Sequence, residues 1–232
     1  VGPLSLLDLA ALAVFLACWF GYASIVDRVP RIRAKSVIAA MDEHRRRWMR
    51  AMVARDPRVF DGIVIGNLMS SASFLATTAI FILGGLVAML GATEMGLRVV
   101  GTIPFAATPT EALWEIKIGL LIVIFIQAFF ALTWSIRQFN YLQIIVGGVG
   151  QAADSAAYAQ AEMAARVANR AAKHFNTGLR AYYFGLAALA WLIHPVALMG
   201  ASLLVLAELH RREFRSVVRE AMTEGRSAPG GG

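Results

Sequence analysis

Four long apolar stretches constrain this chain more than anything else in it: Leu4 to Ile25, Ile63 to Leu90, Leu113 to Ser135 and Tyr182 to Ala207. A bilayer's hydrocarbon core is about 30 Å thick and a helix rises about 1.5 Å per residue, so about 20 mostly apolar residues cross it. Each stretch reaches that length. Backbone amides in hydrocarbon have no water to bond, so each must close its own hydrogen bonds as a helix. Composition agrees: only 16% of the 232 residues are charged and 58% are hydrophobic, against about 25% charged in an ordinary soluble domain. One soluble core cannot absorb that much apolar surface.

The first stretch is interrupted only by Asp8. A cleaved leader is the rival reading, but the run is too long and lacks a basic start, so a retained span is expected. The second follows Asp56-Pro57, which reads as a cap with proline in the first turn. It exceeds the bilayer thickness and should tilt, or bend near Gly84-Gly85. The third follows Thr108, Pro109 and Glu111, which read as a capping box with proline in its first turn. The fourth carries His194-Pro195 at its middle. Proline removes a backbone hydrogen bond, so two readings stand: one kinked span, or two short helices that enter and return.

Charge placement sets an expected orientation. Of 22 Lys and Arg, ten lie between Arg28 and Arg58, four between Arg166 and Arg180, and five after Glu208. Basic loops stay inside, so the 28–58 segment is expected to be cytoplasmic in the inner (plasma) membrane. The loop from Gly91 to Ala112 holds only Arg98 and is expected outside. A single fourth span would put the basic tail outside, whereas a hairpin would return it. The basic segments also suit anionic lipids, a more economical reading than nucleic acid for a membrane protein.

Two intervening segments have helical character. Pro30 to Ala54 sets Ile32, Ile38, Met41, Trp48 and Met52 at roughly helical spacing among arginines. Gln151 to Phe175 is rich in alanine, the best helix former, and is expected to be a straight helix packed on another. Asn140 is read as ending the third helix, and Asn176, Gly178 and Arg180 as a break before the fourth. The fold class is therefore an all-α membrane bundle with four transmembrane helices, the last either kinked or broken at His194-Pro195, plus two cytoplasmic helices. Residues 1–216 form one domain, and 217–232 a polar tail.

Candidate functional residues lie on the second and third stretches. Asn67, Ser70, Ser71, Ser73, Thr77 and Thr78 form a polar stripe within about three turns. Such groups need partners or water at membrane depth. They either line a pathway or pack helices, the ordinary role of small polar residues in membranes. Gln127 is a candidate partner for Asn67 or for pore water. Glu115, Lys117 and Arg137 are candidate mouth charges. Lys117 either snorkels to the interface or pairs with a carboxylate of a neighbouring helix. Trp134, Tyr141 and Tyr182-Tyr183 suit an aromatic belt. The four histidines are scattered, Gly147-Gly-Val-Gly150 lacks the Lys-Ser/Thr of a phosphate loop, and no serine sits in a G-x-S-x-G elbow. No enzyme, metal site or cofactor is expected.

Asn67-Leu-Met-Ser-Ser-Ala-Ser-Phe74, Gly84-Gly85, Glu115-Ile-Lys117, Trp134-Ser-Ile-Arg-Gln-Phe-Asn-Tyr141, Asn176-Thr-Gly-Leu-Arg-Ala-Tyr-Tyr183 and Arg211-Arg-Glu-Phe-Arg-Ser216 together resemble the membrane family catalogued as domain of unknown function 599. The resemblance runs over nearly the whole chain and implies a multi-span bacterial membrane protein. It implies no activity, and it directs attention to Asn67, Glu115, Lys117, Arg137 and Asn140. The residues themselves lead to a homo-oligomeric channel or transporter for small ions, with anions favoured by the basic segments. The alternative is a structural or regulatory subunit of a larger membrane complex.

Overall fold

The computed structural model describes residues 4–103, 110–150 and 153–215. Among the described residues every regular element is a helix. They are α1 (Leu6–Arg28), α2 (Pro30–Arg33), α3 (Val37–Val53), α4 (Val59–Gly91), α5 (Thr93–Gly101), α6 (Glu111–Gly148), α7 (Ser155–Ile193) and α8 (Pro195–Phe214). Three are long and apolar enough to cross a membrane: α1 over Leu6–Val26, α4 and α6. The polar 217–232 tail, Thr108, Pro109 and Gln151 lie outside the described residues.

The long helices begin where side chains can satisfy free amides. Ser5 caps α1 and Asp8 bonds back to it, a complete capping box. Thr110 caps α6 through the Leu113 amide, and Glu111 is the first helical residue. The expected cap at Asp56-Pro57 is displaced: α4 starts at Val59, and its N-cap Arg58 makes no side-chain cap. Pro30 to Ala54 is two helices, because the Ser36 hydroxyl caps the Ala39 amide and restarts the chain as α3.

Two expected breaks are absent. Asn140 does not end α6, which continues to Gly148. Asn176, Gly178 and Arg180 lie inside α7, which joins the alanine-rich segment to the first half of the fourth stretch in one helix of 39 residues. At about 1.5 Å per residue, α6 and α7 each approach ~57 Å, nearly twice the ~30 Å hydrocarbon thickness.

They run antiparallel. Ser135 Oγ donates to the Ala171 carbonyl at 2.8 Å, Leu132 faces Gly178, and Phe125 faces Gly185. A Cβ built on Gly178 would lie 2.6 Å from Leu132 Cγ, and one on Gly185 2.9 Å from Phe125 Cζ. These glycines serve close helix approach rather than helix ending.

Two hydrophobic cores are strung along this pair. One joins α1, α6, α7 and α8 through Phe15, Trp19, Ile124, Phe125, Phe184 and Leu198. The other joins α3, the start of α4, the end of α6 and the start of α7 through Met49, Met52, Ile65, Leu142 and Val146. Its remaining wall is alanine at 157, 161, 164, 165, 168 and 171, which lets α3 and α6 close onto α7.

The fourth stretch breaks at His194. Its backbone is extended, and its Nδ1 accepts from the Val196 amide at 3.2 Å, starting α8 with Pro195 in the first turn. The Arg212 guanidinium reaches the Tyr183 hydroxyl at 3.1 Å, so α8 folds back along α7 as a hairpin. The reading of one kinked helix is overturned. α8 runs beside α1 in the same direction: Trp191 at the hairpin meets Asp8, and the Tyr22 hydroxyl meets the Leu209 carbonyl at 3.2 Å.

The helix pair yields a stability prediction. Gly178→Ala forces a methyl against a fully buried leucine and should cost about 1–3 kcal/mol by overpacking. Thermal unfolding in mild detergent checks it, and the loss should shrink in a Leu132→Ala background. An unchanged midpoint for Gly178→Ala would contradict this contact.

Candidate functional site

A buried group of charges sits at the hairpin end of the bundle. Asp8 is held there because it closes the α1 cap: its Oδ2 accepts from Ser5 Oγ at 2.6 Å and from the Ser5 amide at 3.2 Å. Its Oδ1 accepts from Trp191 Nε1 at 2.9 Å. Lys117 enters from α6 and is only 2% exposed. Its ammonium lies 5.6 Å from the Trp191 ring centroid, where the ring's negative face attracts a cation. No ion pair joins Lys117 and Asp8 directly; both contact the same indole. Trp191 thus joins the two charges, its N–H on the carboxylate and its ring beneath the ammonium.

The snorkelling reading of Lys117 is therefore corrected. The ammonium stays inside the bundle, and the carboxylate it answers to belongs to a different helix. Trp114, one turn before Lys117, is also buried, and its Nε1 has no hydrogen-bond partner among the described residues. Its ring is packed so tightly on α5 that a Cβ on Gly96 would lie 2.3 Å from it. Towards the basic end, Trp19 stacks on Phe184 and Phe15 meets both edge to face.

The other mouth charges do not join this group. Glu115 is exposed on the outer side of α6. Arg137 is exposed too, and it lies between Trp134 and Tyr141, donating from Nε to the Tyr141 hydroxyl. Twenty positions of helix separate Lys117 from Arg137, about 30 Å at 1.5 Å per residue. Tyr182 leaves the expected aromatic belt: its hydroxyl donates to the Leu75 carbonyl of α4, and its ring meets Phe125 at 5.3 Å.

The polar stripe of α4 points away from the rest of the chain. Asp61, Ile65, Ala72, Ala76, Ala79 and Leu86 are the buried side of α4. Asn67, Ser70, Ser71 and Thr77 are exposed, and Ser73 and Thr78 are half-buried. Ser71 and Thr78 hydroxyls bond the carbonyls one turn back, at 3.0 and 2.8 Å. Asn67, Ser70, Phe74, Thr77, Phe81, Gly84 and Ala88 alternate three and four apart, and all are exposed. Phe74 is 71% and Phe81 75% exposed. Such spacing is that of a left-handed helix–helix seam. Gln127 does not pair with Asn67. Gly66 of α4 faces Gln143 of α6, so Gln127 is sixteen positions farther along α6, ~24 Å away.

At the basic end, a third feature went unread in the sequence. Asp61 in the first turn of α4 is fully buried. Its Oδ1 accepts from Trp48 Nε1 at 2.6 Å and from Arg55 Nη1. Its Oδ2 is buried without a hydrogen-bond partner among the described residues. Beside it, Arg58 donates to the carbonyls of Met52, Val53, Val149 and Gly150, tying the end of α3 to the end of α6. The available signal was a carboxylate two residues before an apolar run, where it must be paired or capped.

A search against protein families matches residues 10–218 to the family described as Protein of unknown function, DUF599. The chain belongs to this family. The matched stretch covers α4, Lys117, Trp191 and the hairpin, and begins two residues after Asp8. No curated protein and no solved structure gives a match. Kinship with DUF599 therefore supplies a membrane-like helical family and leaves the activity to the geometry.

The Asp8–Trp191–Lys117 group can be tested as a unit. Removing one charge strands the other in an apolar setting, which costs about 3–5 kcal/mol. Lys117→Met and Asp8→Asn should each lower thermal stability in mild detergent, and the double variant should lose less than the two losses added. Strict additivity would mean that the two residues are not coupled.

Proposed function

We propose that this protein is a homo-oligomeric inner-membrane channel or transporter for small ions, assembled through the exposed face of α4. The observation that carries this reading is the outward direction of the α4 stripe. Amide and hydroxyl groups of Asn67, Ser70, Ser71 and Thr77 face away from the chain's own core. In lipid they favour water or another helix. Copies arranged around an axis give them both. Within one chain, the core at the hairpin end is filled by aromatic and aliphatic side chains, so a path between copies is the better-supported route.

The proposed topology takes α1, α4 and α6 across the membrane and brings both arms of the α7–α8 hairpin into it. α8 alone has 20 residues, about 30 Å of helix. The 28–58 segment, the end of α6 and the end of α8 then share one side. With the positive-inside rule that side is cytoplasmic, and the returning hairpin removes the conflict that a single fourth span creates for the basic tail. Cations gathered at this mouth favour anions.

A second reading rests on Phe74 and Phe81. Large aromatics alternating with Ser70, Thr77 and Gly84 suit a dry interface with a different membrane protein, of which this chain would be a structural or regulatory subunit.

Light scattering in mild detergent should show an assembly of several chains. Proteoliposomes should pass small anions, and Asn67→Leu and Ser71→Leu should reduce the flux several-fold without dissociating the assembly. A monodisperse monomer removes the homo-oligomer. Absence of flux under every gradient and voltage removes the path and leaves the subunit reading.

A further inference from the structure

The cations of the basic end are not equivalent. On α3 and its neighbours most are already paired, two to a carboxylate: Arg33 and Arg45 with Asp42 at 2.9 and 3.1 Å, and Arg46 and Arg50 with Glu162 at 3.1 and 3.5 Å. Arg47 pairs with Glu43 at 3.5 Å. On α8, Glu208 accepts from both Arg211 and Arg212. Those bonds keep both arginines occupied. Arg31, Lys35 and Arg215 make no ion pair or side-chain hydrogen bond with any described residue, and all three are exposed.

These three cations share a rim. They border one groove of about 980 Å³ between α1, α2 and α8. Its walls are apolar. Cys18, Gly21 and Ile25 of α1 face Leu203, Leu206 and Ala207 of α8. The groove follows the last turns of the apolar part of α1, which ends at Val26. Arg31 and Lys35 come immediately afterwards, at the depth where a span gives way to headgroups. Apolar walls below and unpaired cations above reproduce the polarity of one phospholipid: acyl chain beneath, anionic phosphate at the surface.

We propose that the α1–α2–α8 groove is a binding site for an anionic phospholipid of the membrane leaflet that faces the basic end. Its acyl chain lies between Gly21 and Ala207, and its phosphate is held by Arg31, Lys35 and Arg215. The occupant follows from charge complementarity. A zwitterionic lipid brings its own cation to a rim that is already positive, and a soluble anion leaves the apolar walls uncovered. The site depends on membrane insertion and not on ion conduction, so it stands or falls separately from the channel reading.

Native mass spectrometry of the full chain in mild detergent tests this, with titrations of phosphatidylglycerol and of phosphatidylcholine bearing the same acyl chains. The wild type should bind phosphatidylglycerol at least tenfold more tightly. Arg31→Ala, Lys35→Ala and Arg215→Ala combined should weaken that binding on the order of a hundredfold, from the ordinary worth of three basic groups at a lipid surface. A charge-matched control, Arg166→Ala with Arg170→Ala and Lys173→Ala on α7, should leave it within threefold. Gly21→Trp fills the groove without changing charge; a Cβ there meets nothing within 4 Å, so the new side chain starts into open space along the groove. That variant should lose phosphatidylglycerol, and circular dichroism should confirm intact helices. Equal losses in both triple variants, undiminished binding in Gly21→Trp, or equal affinity for the two lipids would each overturn the proposal.

Discussion

Where Gly178 and Gly185 face Leu132 and Phe125, α6 and α7 approach with no side chain of α7 between them. Everything else is attached to that contact. Both helices are longer than a bilayer is thick by tens of ångströms, so the pair has room for two cores along its length. α1 and the returning α8 close around the first core. α3 closes on the second, against a wall of alanines. Dispersion between closely packed helices replaces the hydrophobic drive that is missing in lipid, and it falls off steeply with small gaps. A methyl at either glycine would therefore disturb two cores that share the same pair of helices.

The ionisable groups follow the same division. At the hairpin end, where the surroundings are apolar, Asp8 and Lys117 are few, buried and joined through one indole. At the basic end, Asp61 is buried under Trp48 and Arg55, but most guanidinium groups spread over carboxylates in half-buried to exposed ladders, where water screens each pair to about 1 kcal/mol or less. Those ladders do little for stability. Their consequence is selective: they tie up the guanidinium groups of α3 and of the Arg211-Arg212 pair and leave a few unpaired cations elsewhere on the surface.

The three helices long and apolar enough to cross a membrane were legible in the sequence because hydropathy over about 20 residues depends on little besides transfer from water. Helix ends were less legible. Asn140 and Gly178 each read as punctuation, yet both lie inside helices, because tertiary contacts outweigh a propensity difference of less than about 1 kcal/mol per residue. His194-Pro195 showed that the helix must yield but not how far the chain turns; that is decided by Tyr183 meeting Arg212, 29 positions apart. The charge group was half legible. Lys117 stood out in an apolar run, and its need for a carboxylate on another helix was one of the two readings. Asp8 looked like an interruption near the start of the first stretch, and its identity as the partner depends on α1 lying beside α7.

The α4 stripe was legible as a stripe, but periodicity fixes only the angle between residues on one helix and says nothing of what each face meets. Its outward direction bears on how copies would fit together. Ser71 and Thr78 bond carbonyls one turn back, so their hydroxyls tolerate lipid at small cost. Asn67, Ser70 and Thr77 show no such bond among the described residues and weigh more in favour of a neighbour. Phe74 and Phe81 are one heptad apart, about 10 Å along the axis, with the small residues between them. Two parallel copies related by a twofold axis would set phenylalanine against phenylalanine and close the seam completely. A larger ring splays the same aromatics away from its axis while hydroxyl layers remain between them. The number of copies, more than the chemistry of the stripe, therefore separates a sealed interface from a path, and that number is set by the same exposed face.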